Sequence, residues 1–277
     1  MINAFTVDLE DWFCSHNLKS VAPYKTWDQQ LSRVEKNTMK LLNLLHSHNT
    51  KATFFVLGWI ASRFPKLVKA IHEEGHEIAS HGYAHQQITL QTHEAFEEDI
   101  IESISILNSI TGERPKGYRA PAFSITQQTL WALSVLKKYG ISYDSSIYPF
   151  SFHPDYGNAG VPLGFHNNNG LIEIPMSCAT FGKIRIPCSG GAYLRFYPFS
   201  IFRSLVKRVI AKQRPFIFYI HPWEIDSDPP KVPLPYSKAA RHYYNCSSAL
   251  KKTEMLVQEF QFTSLQNILA SEQFDIF

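Results

Sequence analysis

The chain has 277 residues, and 44% of them are hydrophobic, so it is long and apolar enough to bury a sizeable core. Its formal net charge is only +3 with histidine neutral, and it has no run of five or more like charges, which argues against a nucleic-acid-binding surface. No stretch of about 18 uninterrupted apolar residues occurs, so we expect no membrane-spanning helix.

Two further features bear on where the protein acts. The opening residues, MINAFTVDLEDW, have neither the basic segment nor the long apolar segment of a secretory signal, which predicts action inside the cell. The four cysteines form no CxxC pair, and their wide spacing predicts buried free thiols, not a disulfide framework or a zinc ribbon.

Strand-like and helix-like runs alternate along the first half of the chain. Apolar runs bounded by turn residues predict strands, and apolar positions at helical spacing predict helices. In chain order, the predicted elements are a strand over 2–9, a helix over 34–49, a strand over 51–58, a helix over 61–75, a strand over 76–80, a helix over 93–112, a strand over 115–120, a helix over 126–140 and a strand over 141–146. Thr126 is the expected N-cap of the last of these helices.

Residues 147–197 interrupt the alternation. They are rich in Pro, Gly and Asn, and short pieces such as 171–176 and 184–187 are typical of β-structure. The alternation then resumes with a helix over 199–213, a strand over 215–223, a helix over 247–259 and a strand over 260–265. We interpret residues 147–197 as an irregular, β-rich insertion.

Repeated strand–helix units imply parallel strands joined by right-handed crossovers. Six or seven such units fit a closed or nearly closed barrel better than a small open sheet. We therefore predict an α/β fold in a single domain over residues 1–277.

Ionisable side chains lie at or just after the carboxyl ends of five of the predicted strands. In a barrel, chemistry takes place at the carboxyl ends of the strands, so these residues are expected to meet at one rim. They are Asp8, Glu10 and Asp11 after the first strand, His81 and His85 after the third, Arg119 after the fourth, Asp144 after the fifth and His221 after the late strand.

The segment SHGYAH places His81 and His85 four residues apart, a spacing that lets two imidazoles bind one ion. Two histidines with one carboxylate form a facial metal site that leaves positions open for water and substrate. The acids after the first strand supply candidates for that carboxylate.

The other strand-end residues have candidate roles in proton transfer. His221, in FYIHPWEID, is a candidate general acid for protonating a leaving amine, and Asp144 is a candidate for holding its imidazole in orientation. Arg119, in YRAPAF, is a candidate partner for one of the clustered acids, which it would keep ionised at neutral pH.

Taken together, these segments resemble the polysaccharide deacetylase family, the NodB-homology domain of carbohydrate esterase family 4. SHGYAH resembles the family's metal-binding H-[ST]-x-x-H motif, with Gly82 where Ser or Thr is usual, and YRAPAF resembles its R-x-P motif. FYIHPWE resembles the late motif that carries a catalytic histidine, and TVDLED falls where the family has T-F-D-D. The extended motifs look like the subgroup found beside exopolysaccharide biosynthesis genes.

This resemblance implies a distorted (β/α)7 barrel and a metal-dependent hydrolase that removes N-acetyl groups from an amino-sugar glycan. It implies a divalent metal, zinc first and cobalt, nickel or manganese as alternatives, held by His81 and His85. It also implies Asp8 as general base, steadied by Arg119, and His221 as general acid. We expect a cytoplasmic enzyme, associated with the membrane only through a glycan-synthesis complex.

One departure from the family motif affects the metal site. The family's second aspartate directly follows the first, but here Leu9 occupies that position. Asp8 and Glu10 are two apart and would point to the same side of an extended strand, which favours Glu10 as the metal ligand. Asp11 is the rival if the chain bends at the strand end.

Substrate contacts are expected from side chains beside the motifs. The predicted set is Trp12, Tyr83, Pro121, Phe123 and Trp223. Aromatic rings suit sugar faces, but flat heterocycles would also stack on them. Two alternatives therefore stay open: a cyclic imide or allantoin-type amidohydrolase on the same fold, and a catalytically inactive glycan-binding domain.

Overall fold

The computed structural model of the protein describes residues 1–150, 157–158 and 160–271. Its strands are β1 (Asn3–Leu9), β2 (Thr53–Val56), β3 (Glu77–Ser80), β4 (Gly117–Tyr118), β5 (Tyr143–Asp144), β6 (His166–Asn168), β7 (Leu171–Glu173), β8 (Cys178–Phe181), β9 (Ile184–Pro187), β10 (Ile217–Ile220) and β11 (Phe262–Thr263). Its α-helices are α1 (Val34–Ser47), α2 (Gly58–Arg63), α3 (Pro65–Glu73), α4 (His93–Thr111), α5 (Trp131–Lys138), α6 (Gly191–Phe196), α7 (Phe199–Ile210), α8 (Tyr236–Tyr243), α9 (Cys246–Glu259) and α10 (Leu265–Ala270).

The main sheet has the order β10-β1-β2-β3-β4-β5-β7-β6, with β11 also pairing with β1. Every pair is parallel except β6 with β7, so seven parallel strands run from β10 to β7. The sheet curls into a half-barrel, which confirms the predicted distorted α/β barrel. The helices between strands are the crossovers that a parallel sheet requires.

Alternation along the strands separates two cores. Phe5, Val7 and Leu9 of β1 lie in the apolar layer between the sheet and the surrounding helices. Side chains from distant strands, among them Phe55 of β2 and Tyr143 of β5, form a second cluster on the concave side. Because the two faces of β1 alternate, the intervening polar residues of this strand point into the concave side.

The strand register brings the carboxyl ends of the strands to one level. Leu9 pairs with Val56, Val56 with Ser80, Ser80 with Tyr118 and Tyr118 with Asp144. Residues that directly follow these strands therefore share one rim, as predicted. They include Glu10, His81, Arg119 and Ser145, with His221 following β10.

Two predicted helices differ from the observed ones. The run over 61–75 is split into α2 and α3, because Phe64 precedes Pro65 and leaves the helical region at φ −124° and ψ 51°. The helix predicted to start after Thr126 begins at Trp131 instead. The backbone N–H of Thr126 donates to the Thr129 hydroxyl in a turn, so the prediction of Thr126 as N-cap was wrong.

The segment predicted as an insertion contains β-structure. Strands β6 and β7 form an antiparallel hairpin at the edge of the main sheet, and β8 and β9 form a separate two-stranded sheet. Residues 151–156 and 159 of this segment lie outside the described part of the chain.

Among the described helices, none is both long and apolar enough to cross a membrane. All four cysteines are buried and unpaired, as predicted.

Candidate active site

Glu10 lies between the two histidines of SHGYAH. Its Oε1 atom is 3.1 Å from His81 Nε2 and 2.9 Å from His85 Nε2. The ligand atoms of the three residues all lie within 4.8 Å of one another, the one such group among the described residues. Two imidazole nitrogens and one carboxylate oxygen suit zinc and related divalent metals. The donor set therefore fits the metal that the resemblance implies.

A hydrogen bond behind His81 fixes the orientation of its ring. His81 Nδ1 lies 2.7 Å from the carbonyl oxygen of Arg119, and a carbonyl can only accept, so Nδ1 carries the proton. Nε2 faces Glu10 and, once it gives up its proton, would offer a lone pair to a metal held there. Metal-binding histidines commonly donate their other ring N–H to a carbonyl or carboxylate in this way.

Burial alone would raise the pKa of Glu10, which is almost wholly enclosed. The charges of His85 and His221, together with hydrogen bonds from His81 and His85, outweigh that effect and lower its pKa well below the usual range. Glu10 is therefore ionised at neutral pH, as a metal ligand must be.

The loop that carries the histidines explains the unusual glycine of the motif. Gly82 has φ +73°, and a Cβ atom placed there would lie 2.8 Å from Asp99 Oδ2. The same Asp99 oxygen accepts the backbone N–H of Tyr83 at 2.9 Å. An acid from α4 thus supports this loop where the family motif usually has a hydroxyl side chain, and it leaves no room for one.

We predict that Gly82→Ala weakens metal binding. The substitution places a side chain at positive φ, at a cost of about 1–2 kcal/mol, and pushes Asp99 off the loop. The control is Gly112→Ala, because Gly112 also has positive φ, at +76°, but a Cβ there would meet nothing within 4 Å. Calorimetric titration with a divalent metal should show weaker binding only for Gly82→Ala. Unchanged affinity in that variant would contradict a supporting role for Asp99.

Asp8 and Arg119 form a fully buried pair on the inner side of the rim. Arg119 Nη1 donates to Asp8 Oδ1 at 2.6 Å, and Arg119 Nε donates to the Ser145 carbonyl at 3.0 Å. The guanidinium also lies 4.1 Å from the centroid of the Phe55 ring. The second oxygen of Asp8, Oδ2, faces the cavity 3.9 Å from His221 Nε2.

Glu224 holds the imidazole of His221. Its Oε2 atom lies 2.9 Å from His221 Nδ1 and accepts the backbone N–H of His221 at 3.1 Å. Burial lowers the pKa of His221, but Glu10, Glu224 and Asp8 outweigh this and raise it to about 9. His221 is therefore a cation at neutral pH. Arg195 donates through Nε to Glu224 Oε1 at 3.0 Å and balances the charge of that carboxylate.

The prediction that Asp144 orients His221 is corrected by this arrangement. Asp144 lies on β5, which is separated from β10 by four strands of the sheet, and pairs in register with Glu173 of β7. It accepts hydrogen bonds from the side chains of Ser146 and Glu173. Burial raises the pKa of Asp144 to about 6 and that of Glu173 further, so the two carboxyls share a proton.

The sequence analysis did not identify Glu224 as the residue that orients His221. A glutamate three residues after a strand-ending histidine matches a capping box, which is the signal that could have found it.

Asp11 lies apart from the histidines. Its carboxylate accepts backbone N–H groups from Trp12 at 2.8 Å and from Arg33 and Val34, and the Ser32 hydroxyl at 2.5 Å. The chain leaves β1 after Leu9 and turns at Asp11 into a short helical turn over Trp12–Cys14. Asp11 thus joins this turn to the start of α1. Glu10, and not Asp11, is the acid that lies beside His81 and His85.

The cluster opens into a cavity of 640 Å³. Of the predicted substrate-contacting residues, Phe123 and Trp223 line it, whereas Trp12, Tyr83 and Pro121 do not. Trp12 is buried and donates through Nε1 to the Leu31 carbonyl, so its expected role is corrected to a packing role. The cavity also has aromatic lining that sequence reasoning missed, from Tyr193, Phe196, Tyr197, Tyr219 and Tyr244.

Two known family models match consecutive parts of the sequence. Residues 18–143 match the family model for polysaccharide deacetylase, and residues 145–270 match a model described as a domain of unknown function, DUF3473. The chain therefore contains a polysaccharide deacetylase domain over residues 18–143. Its second half, which carries His221 and Glu224, lies in the segment of unassigned function.

Curated relatives match over part of their length. A peptidoglycan-N-acetylglucosamine deacetylase of Bacillus cereus is 42% identical over 96 residues, which is 34% of this chain and 35% of that protein. A peptidoglycan deacetylase of Helicobacter pylori is 31% identical over 121 residues, 44% of this chain and 40% of that protein. The chain thus spans less than half the length of these two relatives.

Solved structures extend the likeness in fold to the whole chain. A candidate polysaccharide deacetylase from Mycobacterium smegmatis superposes with a TM-score of 0.63 at 17% identity, covering 99% of this chain and 93% of that one. The peptidoglycan deacetylase PdaC from Bacillus subtilis gives 0.51 at 14% identity, covering 98% and 91%. Both comparisons support the barrel-like fold.

Proposed function

We propose that the protein is a metal-dependent hydrolase that removes N-acetyl groups from an amino-sugar glycan, in the biosynthesis of a surface or exported polysaccharide. One observation carries the proposal: the candidate base Asp8, the candidate acid His221 and the three candidate metal ligands line the same cavity. His221 Nε2 lies 3.9 Å from Asp8 Oδ2 and 3.8 Å from Glu10 Oε1. The relatives named as deacetylases of peptidoglycan amino sugars support the reaction class.

Glu10, His81 and His85 would hold the metal, with zinc as the first candidate and cobalt, nickel or manganese as alternatives. A divalent cation supplies Lewis acidity there, which polarises an amide carbonyl and lowers the pKa of water. Three protein ligands would leave coordination positions open for water and substrate.

Asp8 is the proposed general base, with Oδ2 facing the cavity. Its other oxygen accepts a hydrogen bond from Arg119, which fixes the carboxylate in orientation. A carboxylate so placed accepts the proton of the attacking water as the new C–O bond forms.

His221 is the proposed general acid. It is a cation at neutral pH and its Nδ1 is held by Glu224, so Nε2 carries the proton that faces the cavity. Transfer of this proton to the amide nitrogen lets the C–N bond break, giving acetate and a free amino sugar.

Acetate release tests this proposal. Purified protein supplied with zinc or cobalt should release acetate from N-acetylglucosamine oligomers, and a chelator should stop the release. Cyclic imides and allantoin serve as alternative substrates in the same assay. Turnover of those compounds with no acetate from any glycan would contradict the proposal, and so would binding of glycans without turnover of either class.

We predict that Glu224→Gln shifts the alkaline limb of the pH profile to lower pH. In the wild type, activity should fall on the alkaline side, where His221 loses its proton. Removing the Glu224 charge removes one of the causes that raise this pKa, so the acid is lost at lower pH. The measurement is kcat/KM against pH, with the exposed Glu254→Gln as control. An unchanged limb in Glu224→Gln would show that Glu224 does not tune His221.

A further inference from the structure

Two aromatic rings stand exposed at the mouth of the catalytic cavity. Phe196, at the end of α6, is 67% exposed, and Tyr244, just after α8, is 49% exposed. Their centroids lie 5.2 Å apart with planes inclined at 45°, and both line the cavity. Paired aromatic rings that are left in water next to a cavity are typical of a binding surface, since packing alone would bury them.

The backbone beneath the rings is held in place by Arg195, which is only 2% exposed. Its guanidinium donates to the carbonyl of Tyr244 at 2.5 Å and to that of Arg241 at 3.3 Å. In return, Asn245 Nδ2 donates to the Arg195 carbonyl at 3.1 Å. The segments carrying the two rings are therefore joined, and the rings are positioned before any ligand binds, which reduces the entropy cost of binding.

The same arginine connects the rings to the chemistry. Arg195 donates to Glu224, and Glu224 holds the imidazole of His221. The distance between the aromatic pair and the proposed acid is thus fixed by two consecutive buried polar contacts. A molecule that reacts at His221 and continues along the cavity would meet Phe196 and Tyr244 at a constant distance.

We propose that Phe196 and Tyr244 form a second sugar-binding subsite, which takes the apolar face of a sugar unit beyond the one that reacts. The inference rests on the proposed function. It assigns a role to the DUF3473 segment, since both residues lie within residues 145–270 and outside the matched deacetylase region. The cavity volume of 640 Å³ is in the range of sites that enclose most of a ligand of several rings. Exposed aromatic rings offer such a ligand a large contact area at little entropic cost.

The test compares oligomers of different length. The variants are Phe196→Ala and Tyr244→Ala, and the control is Tyr236→Ala, which removes a 90% exposed ring of α8 that does not line the cavity. Each subsite variant should lose about 3- to 10-fold in kcat/KM on N-acetylglucosamine pentamers, mainly through KM, and keep its rate on the monosaccharide. The control should match the wild type on both.

Calorimetric measurement of pentamer binding tests the subsite independently of catalysis. If wild-type protein releases no acetate from any glycan, the proposed function fails, but weaker pentamer binding by Phe196→Ala and Tyr244→Ala would still support the subsite. Equal losses on monosaccharide and pentamer would indicate a structural role and overturn it. Unchanged pentamer binding in both variants would overturn it as well.

Discussion

Asp8→Asn is expected to lower the deacetylation rate by about 10²- to 10⁴-fold, the usual contribution of a general base. The asparagine cannot take a proton from water. Its amide oxygen can still accept the hydrogen bond that Arg119 Nη1 donates to Asp8 Oδ1, so the fold should persist. The measurement is kcat on N-acetylglucosamine oligomers, with thermal unfolding and metal titration on the same sample.

Asp28→Asn is the matched control for this variant. Asp28 is an exposed acid that pairs with Arg63 on the surface, so its substitution removes one negative charge away from the cavity. It should leave kcat unchanged. An Asp8→Asn protein that binds metal and keeps wild-type kcat would show that the base is another group.

Glu10→Gln and Asp11→Asn are expected to have opposite consequences. Glu10→Gln removes a carboxylate that lies within 3.1 Å of both histidine Nε2 atoms, so metal affinity should fall by about 100-fold or more and activity should fall with it. Asp11→Asn should keep metal affinity. It should lower the free energy of unfolding by about 1–3 kcal/mol, because Asp11 satisfies buried backbone N–H groups.

Calorimetric metal titration and thermal unfolding of the two variants separate these effects. Loss of metal binding in Asp11→Asn, with retention in Glu10→Gln, would reverse the assignment of the two acids. Loss in neither variant would mean that the metal binds elsewhere.

The first half of the site could be predicted because it depends on strand geometry. Alternation along β1 predicted that Asp8 and Glu10 face the same side, and both line the cavity. The rim formed by the strand ends follows from a parallel sheet, in which equivalent positions are level. Local patterns fix these relations, so the sequence alone was enough to anticipate them.

The second half depends on contacts between segments that are distant in the chain. Arg195 meets Glu224 across 29 residues and the carbonyl of Tyr244 across 49, and no periodic pattern encodes such pairs. The assignment of Asp144 to His221 was wrong for the same reason. That assignment assumed that the two residues are neighbours because both lie at strand ends. The strand order instead puts them on distant strands.

Anomalous diffraction from a crystal soaked with zinc or cobalt tests the central claim most directly. We predict a single strong peak bound by the Glu10 carboxylate and by Nε2 of His81 and His85, with Asp11 still on its backbone N–H groups. A fully active protein with no ion at these three residues, or with an ion bound by Asp11 instead, would contradict the account.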